Sequence, residues 1–142
     1  MTRLFKREVT LREFANYARA VGGYCSYHDA LAAVNAVLGV LPHVMSSQNA
    51  GAARALLPSA LRPSWDSFSV NAGEDVWTLA ARAGEFSSRE EIGRAMHAVF
   101  SSLKEKLREG APRWQRLLPA ELLLVWERSQ TVDASQQAKD CL

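Results

Sequence analysis

The chain carries a partial copy of itself. With a shift of 61 positions, Asn16–Trp65 falls on Trp77–Trp126 without a gap. Leu56-Leu57-Pro58 then lies over Leu117-Leu118-Pro119, Leu61 over Leu122 and Trp65 over Trp126. Gly23 lies over Gly84, Ser26 over Ser87 and Ala20 over Ala81. Self-similarity at a fixed period marks a fold built by stacking one supersecondary unit on another. Helix punctuation repeats with it. Thr10-x-x-Glu13 is a capping box, and Asn71-x-x-Glu74 follows 61 residues later. Ser26-x-x-Asp29 and Ser87-x-x-Glu90 stand in the same relation. In each, a short polar side chain accepts from first-turn N–H groups while the acid answers the cap's own N–H. Between these caps and the Leu-Leu-Pro endings a shift of 62 fits better, with Ala33 over Ala95, Ala36 over Ala98, Val37 over Val99 and Leu41 over Leu103. The reading is a duplicated unit with a slip of one residue.

Each unit reads as about four helices. Leu11, Phe14, Ala18 and Val21 form one apolar stripe, and Gly22-Gly23 stops that helix. Val76, Leu79, Ala80 and Ala83 form its counterpart, stopped by Gly84. The second helix spans about Tyr27 to Leu41, ended by Pro42, and in the second copy about Ser88 to Arg108. In that second copy Ile92, Met96, Val99, Leu103 and Leu107 face inward, while Arg89, Arg94, His97, Ser101, Lys104 and Arg108 face water. A third helix follows Ser46 or Ser47, matched by about Pro112 to Leu118. A last short helix opens at Pro58 or Pro119, where proline suits the first turn. No segment alternates apolar and polar residues with β-branched enrichment, so no strand is predicted. The expected fold is all-α: two tandem copies of a roughly four-helix unit packed as one compact helical domain. The divisions are an N-terminal arm (1–9), repeat one (10–65), a linker (66–70) inside a loop-like Pro63–Ala72 stretch, repeat two (71–128) and a frayed C-terminal tail (129–142). Trp65 and Trp126 are the matching structural anchors, read as core packing.

Length and charge narrow the function classes. The chain has 142 residues, enough for one domain and a sizeable core. A net charge of +2 creates no large field toward nucleic acid, membrane or acidic ligands. Its two cysteines, Cys25 and Cys141, read as free thiols of a reducing, cytoplasmic compartment. No apolar stretch follows the basic N-terminal arm at signal-peptide distance, and no export signal is read. The uncharged run from Ala30 to Ala53 is broken by Pro42, His43 and Ser46-Ser47-Gln48-Asn49, which argues against membrane insertion.

The charges are unevenly shared. From Ala20 to Arg62 only Asp29, Arg54 and Arg62 are charged, whereas the matching stretch of the second copy is densely charged. The second helix of repeat one is therefore apolar on two sides. Leu31, Val34, Leu38 and Leu41 make one row, and Ala30, Ala33, Val37 and Val40 another. A helix apolar all round is covered all round. Either it is the central strut of the monomer, or the row Ala30, Ala33, Val37 and Val40 meets a second chain, with a homodimer through repeat one.

Catalytic chemistry finds no residue to rest on. Cys25-x-x-His28 opens a helix, but two ligands do not make a zinc site, and His43 and His97 have no ligand spacing to them. No phosphate loop, nucleophile elbow, metalloprotease motif or apolar carboxylate pair is present. The reading carries no catalytic residue, no metal and no cofactor. Arg3, Lys6, Arg7 and Arg12 crowd the N-terminal arm, and Lys104, Lys106, Arg108, Arg113 and Arg116 crowd repeat two, with acids interrupting both.

The segments HDALAAVNAVLGVL and REEIGRAMHAVFSSL, followed by ALLPSALRPSW and RLLPAELLLVW, resemble the bacterial domain-of-unknown-function family 2267. The resemblance covers about Thr10 to Arg128. It implies an all-helical, internally duplicated, bacterial cytoplasmic protein and carries over no activity. The functional expectation is a non-catalytic protein-interaction or scaffold module, self-association through repeat one included. Such a module calls for an exposed apolar patch of several hundred Å² on repeat one. The alternative is a nucleic-acid-associated regulator using the basic arm and the Lys104–Arg116 cluster, merged into one stripe. An enzyme calls for a deep pocket with a perturbed titratable group.

Overall fold

A computed structural model of the chain describes residues 9–67, 78–81, 86 and 88–129. Among these residues every regular element is helical. The order is α1 (Leu11–Gly22), α2 (Tyr27–Val44), α3 (Ser47–Leu56), a 3₁₀ turn (Ser59–Leu61), α4 (Arg62–Trp65), helical residues 78–81, α5 (Arg89–Leu107), a second 3₁₀ turn (Arg108–Gly110), α6 (Ala111–Gln115) and α7 (Ala120–Arg128).

The ends of these helices follow from their capping chemistry. Thr10 Oγ1 accepts from the Glu13 N–H at 3.0 Å, and Glu13 Oε1 accepts from the Thr10 N–H at 3.2 Å, which completes the capping box of α1. At the other end Gly23 sits at φ +71°, and its N–H reaches Ala20 O while Tyr24 N–H reaches Arg19 O. Ser26 caps α2 and Ser46 caps α3, each accepting from the N–H three residues on. For α5 the cap is Ser88, which accepts from Glu91 N–H at 3.2 Å. The Ser87-x-x-Glu90 cap is thereby corrected: the register of 62 already holds at the start of α5.

Prolines act less strictly than their sequence rule. Pro42 lies inside α2, which runs on to Val44. A proline so near the helix end removes one backbone bond with only a short stretch left to disrupt. Pro63 likewise sits in the first turn of α4, so Pro63–Trp65 is helix rather than loop. The helix predicted from Pro112 to Leu118 shortens to Ala111–Gln115.

Helix α2 is the central strut. It packs against α1, α4 and α5, while α5 packs against α1 and α7. Val34, Leu38 and Leu41 are buried, and so are Ala30, Ala33, Val37 and Val40, none more than 2% exposed. The row proposed as a face toward a second chain is therefore enclosed within its own chain, which corrects that reading. On α5 the inward residues Ile92, Met96, Val99 and Leu103 are buried as the spacing predicts. Ser101 is not at the surface as expected but fully buried, and Ser102 beside it donates to Ala98 O at 2.7 Å.

The core closes on an aromatic cluster. Trp65 and Trp126 are both buried, and Trp114 stands between them. Trp114 meets Trp65 edge-on at 6.0 Å and stacks on Trp126 at 5.5 Å, and Phe100 adds a ring 5.4 Å from Trp126. The Trp114 indole Nε1–H donates to the buried Ala53 carbonyl at 3.1 Å. Ser129, assigned to the frayed tail, is buried. Its carbonyl accepts from the Lys104 ammonium, and its hydroxyl donates to Val125 O.

Candidate functional site

The chain makes a sharp turn between α1 and α2, and the first turn of α5 lies across it. The turn forms because α1 ends in a left-handed glycine and α2 begins three residues later at the Ser26 cap. Arg94, on the second turn of α5, ties the two together. Its Nε–H donates to Gly22 O at 2.5 Å and an Nη2–H to Gly23 O at 2.8 Å. The guanidinium also lies 4.6 Å above the Tyr24 ring. These carbonyls close the C-terminus of α1, where partial negative charge collects, so the cation is well placed there.

Beside this clamp is a cleft of about 420 Å³. Tyr24, Cys25 and Phe86 line it together with Asp29, Ala32 and Ala33 of α2 and Glu91 and Arg94 of α5. Asp29 and Glu91 both occupy the first turn of their helices. Burial pushes the Tyr24 phenol above its ordinary value, with Arg94 opposing and Glu91 and Asp29 adding to the rise. Among the described residues the Tyr24 hydroxyl has no hydrogen-bond partner. The lining is thus two aromatic residues, two acidic residues, one arginine and Cys25 around short alanine side chains.

Cys25 is exposed and disulfide-bonded, so the free-thiol reading does not hold for it; Cys141 lies outside the described residues. His28 is exposed on the first turn of α2, His43 is exposed near its end, and His97 is half-buried on α5. Among the described residues no group of three His, Cys, Asp or Glu is placed to hold a metal ion. None of their helices is long and apolar enough to cross a membrane.

The basic residues are scattered in their uses. Lys104 is drawn to the Ser129 carbonyl and to the Trp126 ring, and Lys106 stands over Tyr17. Arg108 lies 3.6 Å from Glu105, while Arg113 and Arg116 are exposed. Arg12 lies over the Tyr27 ring, and Arg3, Lys6 and Arg7 lie outside the described residues. The large exposed apolar patch expected of an interaction module is not found among the described residues: Leu124 alone stands out, at 57% exposure on α7 rather than on repeat one. Sequence reasoning missed Trp114, Tyr24 and the clamp role of Arg94. The one available signal was the register of 62, which sets Tyr24 over Phe86, Asp29 over Glu91 and Ala32 over Arg94.

Comparison with curated proteins and with solved structures finds no match. A family model described as "Uncharacterized conserved protein (DUF2267)" matches residues 11–122. This match spans most of the chain, from the first turn of α1 into α7, and the chain belongs to the DUF2267 family.

Proposed function

We propose that the chain is a non-catalytic binding module for a protein partner, and that it makes this contact at the cleft between the first turns of α2 and α5. One observation carries the reading: aromatic, acidic and basic side chains from separate segments converge on about 420 Å³ of open space. A cleft of that size with a few placed polar groups has the form of a recognition site. The scarcity of exposed apolar side chains among the described residues favours this polar cleft over an apolar patch as the contact. The register supports a doubled helical unit with the cleft near its pseudo-axis. Tyr24 and Phe86, Asp29 and Glu91, and Ala32 and Arg94 are pairs 62 apart that line one cavity. Ala53 and Trp114, joined by a buried hydrogen bond, are 61 apart.

Photocrosslinking in the native cell tests the proposal. A benzophenone side chain replacing Ala32 at the cleft is compared with one replacing Arg113 on α6. A discrete protein adduct from position 32 and none from position 113 is the expected result. No adduct at 32, or equal adducts at both, overturns it. A nuclease-sensitive adduct at 113 points instead to a nucleic-acid-associated regulator.

A further inference from the structure

We propose that the group received by this cleft is an organic cation, a lysine or arginine side chain of the partner. The inference rests on the reading of the cleft as the contact site and adds its chemistry.

The cavity wall shows what it can hold. The Tyr24 ring already carries one guanidinium, that of Arg94, at 4.6 Å. Aromatic faces attract cations through the ring quadrupole, and they shelter an alkyl stem equally well. Phe86 supplies a second ring, and Ala32 and Ala33 leave room between the helices.

Charge decides against the opposite ligand. Helix N-termini favour anions, and two of them border the cleft. Here the N–H groups of Asp29 and Glu91 are held by the Ser26 and Ser88 hydroxyls. The carboxylates of the same two residues line the cavity, where they repel an anion and attract a cation. Arg94, the cation of the lining, spends two of its N–H groups on Gly22 and Gly23 carbonyls. An anion would meet two like charges and a guanidinium already engaged by carbonyls, whereas an ammonium or guanidinium meets two acids and the Phe86 ring against the single like charge of Arg94.

The test is an amide NMR titration of the full chain with three probes: acetyl-tetralysine amide, acetyl-tetraglutamate amide and n-butylammonium. Saturable shifts at Tyr24, Asp29, Ala32 and Glu91 with the lysine peptide, and none with the glutamate peptide, are expected. The paired Asp29→Asn and Glu91→Gln variant keeps the side-chain shapes, and its affinity for the peptide drops about fivefold or more. Its thermal unfolding is measured alongside, so that a loss of binding is read on folded protein. Butylammonium binding more weakly than the peptide assigns the site to a partner's side chain. Equal binding overturns that assignment in favour of a free amine. Shifts with the glutamate peptide, an unchanged affinity in the double variant, or no shifts with any probe overturn the cation itself. The crosslink at position 32 still decides separately whether the cleft is the contact site.

Discussion

Arg94 shows how much one side chain can organise. Its planar fork matches two successive carbonyls at the end of α1, and its face covers Tyr24. A lysine offers the same charge without the fork. Arg94→Ala is therefore expected to lower stability by about 1–3 kcal/mol, with Arg94→Lys recovering less than half of the loss; urea unfolding of both variants measures it. The same helix carries a titrating group. Burial, and secondarily the nearby Lys104, holds the His97 imidazole below its ordinary value of 6.5. The folded state thus binds this proton less tightly than the unfolded state. The His97 contribution is fully present above about 6.5 and is lost as pH falls from there through the folded value. His97→Gln should flatten the acid-side fall in stability over that interval. Parallel thermal scans across that interval check this, and an unchanged slope would rule out His97 as its source.

At the scale of the element, much of the helix plan was legible because caps and stops are local chemistry. Thr10 and Ser26 needed only their own sequence neighbours to be recognised, whereas local chemistry left Ser46 and Ser47 both open and the structure selects Ser46. The start of α5 was not settled by local rules, since Ser87 and Ser88 are both acceptable caps. Moving a cap by one residue turns the helix by about 100°, and the packing then selects the register. With Ser88 as cap, Ile92, Ala95, Met96, Val99 and Leu103 all enter the core. Ser101 and Ser102 enter with them, which a polarity rule assigns to solvent. The other end of α5 breaks a local rule. Arg108 ends the helix at φ +50°, a conformation that side chains adopt at a cost. Arg108→Gly is expected to raise stability by about 1 kcal/mol, because the relief of strain outweighs glycine's greater unfolded-state freedom. An unchanged or lowered melting temperature would count against strain at this position.

Across the whole molecule, the same sequence feature that was ambiguous becomes the centre of the structure. An apolar helix such as α2 admits a surrounding made by its own chain or by another, and no local pattern distinguishes them. The enclosure of Ala30, Ala33, Val37 and Val40 by this chain decides the matter for that row. The cleft was illegible for a related reason: Tyr24, Asp29, Phe86 and Arg94 come from segments joined only by the fold. The anchors Trp65 and Trp126 could be named from the Leu-Leu-Pro endings, but their link could not. It is Trp114, 61 residues beyond an alanine with no resemblance to it, that touches both indoles and bonds the carbonyl of that alanine. An arrangement in which one ring joins residues from both halves of the chain leaves neither half a complete core of its own. Unfolding should accordingly be a single transition, with far-ultraviolet circular dichroism and tryptophan fluorescence coinciding in urea. Trp114→Phe removes the indole N–H and leaves the Ala53 carbonyl buried without its partner, a loss of about 1–3 kcal/mol. The decisive observation is how that loss is distributed. A common core requires both signals to shift together to lower urea, whereas a circular-dichroism transition that splits from the fluorescence transition would mean that the two halves stand independently.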